Sequence, residues 1–462
     1  MGRSTEPGGG EVVKRIVVVG GGLAGIAAAL ECASAGAAVT LLEARGRLGG
    51  AAYSFTRDGI VADNGQHVFL RCCTAYRDLL SRIEASDLVT LQPRLAIPVL
   101  APGGEVAWLR RSGLPAPLHL AGALLRYPFL PARERASLAL AMRALGTVDP
   151  EDPAADARSF GEWLAAHHQS PRAVEAMWDL IARPTLNLLV EDASLAQAAY
   201  VFQQGLLRDR AAGDIGFARV PLGEIHDVAA RRALAQAGVE VRLRQGVTAI
   251  VPESEGFRVE AGAVAPLTAD GVILAVSQLR VGRLLPPGSG VDPARLARLG
   301  TSPIVNLHVV YDRPVFDQPF AAGVRTPVQW IFDRTSGSQR EHGQYVAISL
   351  SAADAELDMT VEELRQRFLP AVAELLPAAR GAEVETFFVT REHAATFRAA
   401  PGARALRPGT RTSIDGLVLA GAWTDTGWPA TMEGAVRSGL AAAREVLRVA
   451  VRKSELGAAV AA

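Results

Sequence analysis

A glycine-rich turn near the N-terminus restricts this chain to a small group of folds. Residues 15–19, RIVVV, form a β-branched run that ends at the stretch GGGLAG. An alanine-rich, helix-prone segment follows, and a second strand-like run, AAVTLLEA, begins directly after it. Strand, turn, helix and strand within about thirty residues are typical of a Rossmann half, with the two strands parallel in one sheet. We therefore predict an α/β fold that opens with a dinucleotide-binding unit.

The spaced glycines of this turn have separate roles in such a unit. Gly20 permits the tight turn, Gly22 lets the backbone approach a pyrophosphate, and Gly25 lets the helix pack on the strand. Glu43 ends the second strand about twenty residues on, where an acid holds a ribose 2′-hydroxyl and disfavours the 2′-phosphate of NADP. The first helical residues, whose N–H groups point at the phosphates, are Leu23 and Ala24.

Two further segments resemble one flavoprotein superfamily. In ARGRLGGAAYSF a second glycine pair follows the acid, as in the second pyrophosphate-side loop of the amine oxidase and phytoene desaturase superfamily. The segment GLVLAGAWTDTGWPATMEGAVRSG resembles the strand, turn and helix that close the FAD site of that superfamily. The resemblance implies a Rossmann-type FAD-binding domain with an inserted, partly helical substrate-binding domain. It also implies non-covalent FAD, because no histidine or cysteine stands at a flavin attachment position.

Five motifs make the resemblance more specific. They are DNGQHVFLRCCTAYRDLL at 63–80, LNLLVEDASL at 186–195, QWIFDR at 329–334, HAATFRAAPG at 393–402 and WTDTGWPATMEGAVRSG at 423–439. Over about residues 15–450 the chain resembles the hydroxysqualene dehydroxylases of hopanoid biosynthesis. The resemblance implies reduction of hydroxysqualene to squalene with loss of water, by hydride transfer from flavin N5 to an allylic cation. It also implies an apolar tunnel and an acid, which the sequence does not identify.

The implied cofactor contacts come from both ends of the chain. Besides the residues of the first glycine turn and Glu43, they are Ala44, Arg45, Arg47, Gly49, Gly50, Ala51, Gln66, His67, Val247, Gly421, Ala422, Asp425, Thr431, Met432 and Ala435. Two of these depart from the superfamily pattern, since Ala51 stands where relatives usually carry Arg and Ala422 where they usually carry Asp. We expect Arg45, Arg47 or Asp425 to replace the lost contacts.

Histidines and carboxylates are the first candidates for catalysis. His67 and Asp63 both lie in the DNGQH stretch and are our catalytic candidates, with a structural histidine and a loop cap as the alternatives. The pair His167 and His168 has no carboxylate or cysteine at a metal-ligand spacing, so we predict no metal site.

Aromatic side chains are the candidates for the substrate tunnel. Trp330, Phe332 and Trp428 are expected either to wall the path of an isoprenoid chain or to belong to the core. Asn187, in ARPTLN, either lines the pocket or caps a helix end.

Composition changes along the chain predict its domain organisation. The expected segments are 1–14, a flexible N-terminus; 15–78, the first part of the FAD-binding domain; 79–214, a mainly helical insertion facing substrate or membrane; 215–300, the second FAD-binding part; 301–404, a substrate-binding sheet; 405–451, the C-terminal FAD-binding part; and 452–462, a tail.

Charge and cysteine usage limit the partners. The chain has 48 Lys+Arg and 48 Asp+Glu, so nothing recruits nucleic acid. Its three cysteines make no disulfide framework, and no signal peptide or long apolar run is evident, so we expect a cytoplasmic protein. The resemblance adds squalene-pathway synthases as potential partners.

One segment suggests contact with a membrane. Residues 114–145 combine leucines and aromatics, among them Tyr127 and Phe129, with several arginines and no acidic residue before Glu134. Such a segment suits peripheral binding to the inner face of the cell membrane, and an interdomain helix is the alternative.

Three other functions remain open at this stage. A carotenoid or phytoene-type desaturase would share the fold and move hydride in the opposite sense. An amine oxidase is disfavoured, because many carry a lysine near flavin N5 and the only lysines here are Lys14 and Lys453. From another class, the alanines at 51 and 422 give some support to a non-catalytic, lipid-binding flavin-fold subunit.

Overall fold

The computed structural model describes residues 13–262 and 265–461, with side chains described as far as Val449. Most of the predicted flexible N-terminus (1–14) lies outside these residues, and so do the side chains of the predicted tail (452–462).

Runs of strands and runs of helices follow one another along the described chain. The strands are β1 Arg15–Val19, β2 Ala38–Glu43, β3 Ser54–Arg57, β4 Ile60–Asp63, β5 Val68–Leu70, β6 Val89–Leu91, β7 Ala96–Ala101, β8 Glu105–Arg110, β9 Ile215–Ala218, β10 Glu240–Leu243, β11 Val247–Glu253, β12 Gly256–Ala261, β13 Leu267–Ala269, β14 Gly271–Leu274, β15 Ser302–Tyr311, β16 Phe320–Gly323, β17 Trp330–Asp333, β18 Gln344–Ser351, β19 Val384–Thr396 and β20 Leu417–Leu419. The α-helices are α1 Leu23–Ser34, α2 Thr74–Arg82, α3 Ala121–Leu125, α4 Ala132–Leu145, α5 Pro153–Ala157, α6 Phe160–Ala166, α7 Pro171–Ala173, α8 Asp179–Leu186, α9 Leu195–Phe202, α10 Ala230–Gln236, α11 Gln278–Val281, α12 Pro293–Ala297, α13 Asp354–Leu357, α14 Val361–Leu375, α15 Ala403–Leu406 and α16 Met432–Ala461.

A parallel sheet in the order β10-β2-β1-β14-β20 forms the centre of the first domain. Its strands are buried β-branched and leucine runs, as expected of strands covered on both faces. Helices α1 and α16 pack closely, since a Cβ added at Gly439 would lie 2.1 Å from the carbonyl oxygen of Ala24. The predicted α/β fold with a Rossmann unit is confirmed.

The apolar-rich sequence VEVRLRQGVTAIV at 239–251 contributes to two strands, β10 and β11. Arg244 adopts φ +58°, which breaks the extended backbone after β10. Strand β10 joins the parallel sheet, whereas β11 joins an antiparallel sheet with β12 and β13.

A second, mixed sheet has the strand order β19-β15-β18-β17-β16-β7-β8. Helix α14 covers one face of this sheet through residues such as Leu364 and Phe368. The hairpin β7-β8 comes from the region expected to be mainly helical, and Val99 pairs in parallel with Ala322. The apolar AIPVLA run gains burial by joining a sheet whose strands, apart from β8, lie over 200 residues later.

Helices dominate the insertion only after residue 118. Three π-helical segments, Val174–Trp178, Gln203–Leu207 and Glu224–Ala229, interrupt or extend its helices and the helix that follows. Tyr127 and Phe129, expected on a membrane-facing segment, are instead buried and meet edge to face with ring centroids 5.2 Å apart. Only part of the 114–145 segment therefore presents apolar side chains to the outside.

Candidate functional site

A single large cavity of about 2200 Å³ extends from the glycine loops of the parallel sheet to the face of the mixed sheet. Residues of the first glycine turn line one end, and residues of β17, β18, β19 and the helical insertion line the rest. Its volume exceeds that of a typical small-ligand pocket, about 300–1,000 Å³, so it can hold a dinucleotide together with a second long molecule.

The first glycine turn has the geometry that the sequence predicts. A Cβ at Gly20 would lie 2.5 Å from the carbonyl oxygen of Ala275, and one at Gly25 would lie 1.9 Å from that of Gly20. These two glycines are therefore required by the fold. A Cβ at Gly22 would meet only the Cα of Gly50, at 3.7 Å. The fold therefore tolerates a side chain at this position, and its absence leaves space for a ligand.

Glu43 fixes the turn and also lines the cavity. Its Oε2 accepts a hydrogen bond from the N–H of Gly21 at 2.7 Å, and its Oε1 accepts one from the N–H of Arg45 at 2.7 Å. Each carboxylate oxygen has a second acceptor position. The side chain can therefore hold the loop and still accept ribose hydroxyls.

The second glycine loop approaches the first. Gly49 and Gly50 adopt φ +92° and +59°, and a Cβ at Gly50 would lie 2.9 Å from the Cα of Gly22. Arg45 is exposed on the cavity wall. Arg47 does not line the cavity, because its guanidinium stacks on Tyr53 and donates to the carbonyls of Leu48 and Gly50. Of the two arginines proposed to replace the cation missing at 51, only Arg45 is in place.

The turn between β20 and α16 also contributes residues to the wall of the cavity. Gly421 adopts φ +141° and its N–H donates to the Ser438 hydroxyl at 2.7 Å. Thr431 caps α16 by accepting from the N–H of Gly434, so the positive end of the helix begins at the cavity wall. Asp425 does not line the cavity; its carboxylate accepts from the N–H of Gly427 and pairs with an arginine, so it does not replace the acid missing at 422.

Most of the predicted cofactor residues line this end of the cavity. Those that do so are Gly20, Gly22, Leu23, Ala24, Glu43, Ala44, Arg45, Gly49, Gly50, Ala51, Gln66, His67, Val247, Gly421, Ala422, Thr431, Met432 and Ala435. Two buried polar atoms of the wall, Nε2 of Gln66 and Oε1 of Gln245, have no hydrogen-bond partner in the described protein. Buried polar groups normally have a partner, so the cradle fits a polar dinucleotide such as FAD.

His67 and Asp63 have different surroundings. His67 lines the cavity, and its Nδ1 lies 3.1 Å from the carbonyl oxygen of Gly65, to which it must donate. Burial lowers the pKa of His67, so the imidazole is neutral at pH 7 and presents Nε2 as an acceptor. Asp63 lies outside the cavity and its carboxylate pairs with Arg334 at 2.6 Å. We therefore give Asp63 a structural role in place of the predicted catalytic one.

Aromatic residues also line the cavity. Trp330 and Phe332 line it with ring centroids 6.2 Å apart, and Trp428 meets Tyr200 edge to face at 5.4 Å. Phe332 also belongs to a core cluster with Trp330 packed against it, so these side chains combine the two roles that the sequence left open.

Asn187 has a structural role, although it borders the same cavity. Its amide nitrogen donates to the carbonyl of Ser302 and the hydroxyl of Thr396, and its oxygen accepts from the N–H of Ala352. With φ +53° it ends α8 in the left-handed region, so its polar atoms hold the turn and are not free for substrate.

Sequence reasoning missed two wall residues near the junction of the domains. Glu392, on β19, accepts from the Tyr53 hydroxyl at 3.2 Å and from the Asn64 amide at 2.9 Å. Glu392 directly precedes the HAATFRAAPG motif, which was the available signal. His119, 2% exposed, lines the cavity with an unpartnered Nδ1, and nothing in its sequence context marks it.

The described residues offer neither a metal site nor a membrane-spanning helix. They contain no group of three or more His, Cys, Asp or Glu side chains placed to hold a metal ion. Among them, no helix has the length and apolar character needed to cross a membrane.

Comparison with known proteins gives a consistent family assignment. The family model for flavin containing amine oxidoreductases matches residues 23–447. The chain is 29% identical over 447 residues to a hydroxysqualene dehydroxylase of Rhodopseudomonas palustris, covering 94% of this chain and 98% of that one. It is 26% identical over 477 residues to a zeta-carotene desaturase of Synechocystis, covering 94% and 97%. A solved structure of a putrescine oxidase double mutant superposes with a TM-score of 0.70 at 20% identity, covering 94% and 99%, which shows a shared fold.

Proposed function

Because the chain belongs to the family of flavin-containing amine oxidoreductases, we propose that it is an FAD-dependent enzyme that reduces hydroxysqualene to squalene. It is a flavoprotein oxidoreductase, and its relatives include both hydroxysqualene dehydroxylases and carotene desaturases. The observation that carries the proposal is the continuous cavity, in which aromatic walls adjoin a dinucleotide cradle. Walls of this kind suit a long hydrocarbon with few polar groups.

The cradle residues determine how non-covalent FAD would be held. The two glycine loops and Arg45 would face the diphosphate, Glu43 would accept from the ribose, and the start of α16 would face the pyrimidine ring. When bound and reduced, FAD supplies a hydride. The apolar walls exclude water from the carbon that receives it, which protects an allylic cation from hydration.

The direct test is turnover without oxygen. Purified protein, FAD and a chemical reductant are incubated with hydroxysqualene, and squalene is measured by gas chromatography. We expect squalene in amounts that exceed the enzyme. Oxidised protein is given phytoene in parallel; desaturated products there, without squalene in the first reaction, would favour the desaturase alternative. A colourless protein that binds lipid but not FAD would favour a non-catalytic subunit.

The departure at position 51 yields a prediction about FAD affinity. Ala51 is exposed on the cavity wall, where Arg45 provides the nearby cation. We expect Ala51→Arg to tighten FAD binding about tenfold, because a charge-assisted hydrogen bond contributes about 1.5–3 kcal/mol. Titration of apo-protein with FAD measures the change, and Ala51→Gln is the uncharged control. Equal affinities for native protein and Ala51→Arg would mean that Arg45 already satisfies the diphosphate.

The cavity reaches the surface beside exposed leucines. Leu118 and Leu125, 57% and 74% exposed, lie on its rim, and Leu140, 71% exposed, lies on α4 beside the rim. Arg135 and Arg143 also line this end. Since substrate and product would dissolve in a bilayer, we propose that this rim rests on an anionic membrane surface and collects the substrate there.

We expect the triple substitution Leu118→Ser, Leu125→Ser and Leu140→Ser to reduce co-sedimentation with anionic liposomes at least tenfold, since each loses apolar burial of about 1–2 kcal/mol. The matched control changes Val106, Val228 and Val361, which are 52%, 49% and 45% exposed elsewhere on the surface, to serine. Equal losses in both variants, or no binding by the native chain, would contradict a specific membrane face.

A further inference from the structure

The reaction proposed above needs an acid, and Glu392 lies where one is required. Of the side chains that line the cavity in the described chain, three carry a carboxyl group: Glu43, Glu392 and Glu433. Glu43 has both oxygens on backbone N–H groups of the glycine turn. Glu433 is 1% exposed and is held by two N–H groups of α2 and by Arg437. Both therefore have structural partners on each oxygen.

Glu392 differs because both of its hydrogen bonds end on one oxygen. The Tyr53 hydroxyl and the Asn64 amide donate to Oε1, at 3.2 and 2.9 Å. No hydrogen bond or ion pair from the described residues reaches Oε2, and the side chain is only half-buried on the cavity wall. Oε2 is thus available to a ligand, while Oε1 fixes the orientation of the carboxyl group.

The position of Glu392 joins the two halves of the site. It belongs to β19 of the mixed sheet, opposite Ile304 of β15, which also lines the cavity. The Asn64 amide that donates to Glu392 also donates to the carbonyl of Ala51, directly after the second glycine loop. The carboxyl group is therefore one side chain away from the cofactor cradle and on the sheet that carries two of the aromatic wall residues.

Other proton donors on the wall are less suitable. The pKa of His67 is lowered by burial, and the pKa of His119 is lowered by burial and by Arg111, so both imidazoles are neutral at pH 7. Burial raises the pKa of Tyr200 to about 12. Burial raises the pKa of Tyr53, which keeps its hydroxyl protonated as a donor to Oε1.

We propose that Glu392 is the catalytic acid that protonates the allylic hydroxyl of the substrate through Oε2. This inference rests on the proposed function. The proton passes from Oε2 to the hydroxyl oxygen, the C–O bond breaks, and its electron pair leaves with water. The allylic carbon then takes a hydride from reduced FAD and becomes a C–H group. Glu392 remains as a carboxylate, facing the cation until that step, and recovers its proton from solvent.

The donors on Oε1 favour this step. Because Tyr53 and Asn64 hold Oε1, the carboxyl group keeps one orientation and presents Oε2 to the substrate hydroxyl. The negative charge also develops beside the positive charge of the cation, in a cavity whose walls are mostly apolar.

The test compares Glu392→Gln with Glu392→Asp in the FAD-loaded protein under anaerobic, reducing conditions. General acid catalysis contributes about 10²–10⁴-fold, so we expect Glu392→Gln to lower squalene formation at least 100-fold and Glu392→Asp to retain a measurable part of it. The native rate should fall as pH rises, and the residual rate of Glu392→Gln should not. Glu385→Gln, on the same strand outside the cavity and paired with Arg340, is the control.

Two readouts separate an acid from a merely structural residue. In an acetate ester of the substrate, the leaving group is acetate, which departs without strong acid assistance. With this ester, Glu392→Gln should therefore regain most of the native rate. Without flavin, native apo-protein should bind hydroxysqualene about threefold to tenfold more tightly than squalene, measured by quenching of tryptophan fluorescence, and Glu392→Ala should lose this preference.

The failures of the two proposals are distinguishable. A native protein that forms no squalene overturns the proposed function, and this inference with it. A native protein that forms squalene, with Glu392→Gln within threefold of it, overturns only the role of Glu392. A similar loss with the alcohol and with its acetate also overturns that role, because a general loss of structure would affect both substrates.

Discussion

A Gly22→Val protein is expected to fold with nearly native stability and to lose FAD almost completely. Gly22 has φ −75° and ψ 178°, a conformation open to any residue, and its added Cβ would meet only the Cα of Gly50, at 3.7 Å. The branched side chain would instead fill the gap between the two glycine loops, where a pyrophosphate must approach the backbone. We expect FAD affinity to fall by at least about 100-fold, because the helix N-terminus and loop contacts are lost together.

The measurement pairs FAD titration of apo-protein with its thermal unfolding. Gly25→Ala is the informative comparison, because its Cβ would lie 1.9 Å from the carbonyl oxygen of Gly20 and the turn itself must distort. If Gly22→Val loses FAD but keeps the native melting temperature, Gly22 serves the ligand. If Gly25→Ala loses FAD and also melts at a lower temperature, Gly25 serves the fold. Full flavin content in Gly22→Val would contradict the site.

Removal of the Asp63 carboxylate is expected to cause a large loss of stability. Asp63 is 4% exposed, pairs with Arg334 at 2.6 Å, and accepts from the Ser54 hydroxyl and the N–H of Leu222. Breaking a buried pair by removing one partner costs about 3–5 kcal/mol. We therefore expect Asp63→Ala to lower the melting temperature of the apo-protein by roughly 5–10 °C.

A double-mutant cycle with Arg334→Met identifies the cause. If the ion pair accounts for the effect, the double variant should melt above Asp63→Ala, because the arginine is no longer buried without a partner. A variant that melts normally but forms no squalene would return Asp63 to the catalytic candidates.

Local sequence was sufficient where one short segment determines the structure. The glycine turn was predictable because two of its contacts are local: Gly25 approaches the carbonyl of Gly20, and Glu43 accepts from the N–H of Gly21. However, a position close to the glycine turn in sequence did not predict where the side chain points. Arg47 is near the cradle in sequence, but its guanidinium stacks on Tyr53 instead.

Contacts between distant segments could not be predicted from one sequence. Glu392 meets Asn64 across 328 positions and Tyr53 across 339, and its strand shows no regular alternation of exposed and buried residues. The β7-β8 hairpin was missed for a related reason, since its apolar run is stabilised by a partner strand that no local pattern reveals.

The interleaved strand order also sets when each sheet can be completed during synthesis. The edge hairpin at 96–110 cannot pair with β16 until residues 320–323 are synthesised. The parallel sheet likewise lacks β20 until residues 417–419 are synthesised. At about 5–20 residues per second, the first interval lasts roughly 10–40 seconds on the ribosome, with a strand edge unpaired throughout. Nascent chains therefore need protection from edge-to-edge association until synthesis is nearly finished. A premature stop before residue 417 leaves the parallel sheet without its last strand and without the helix that packs on α1.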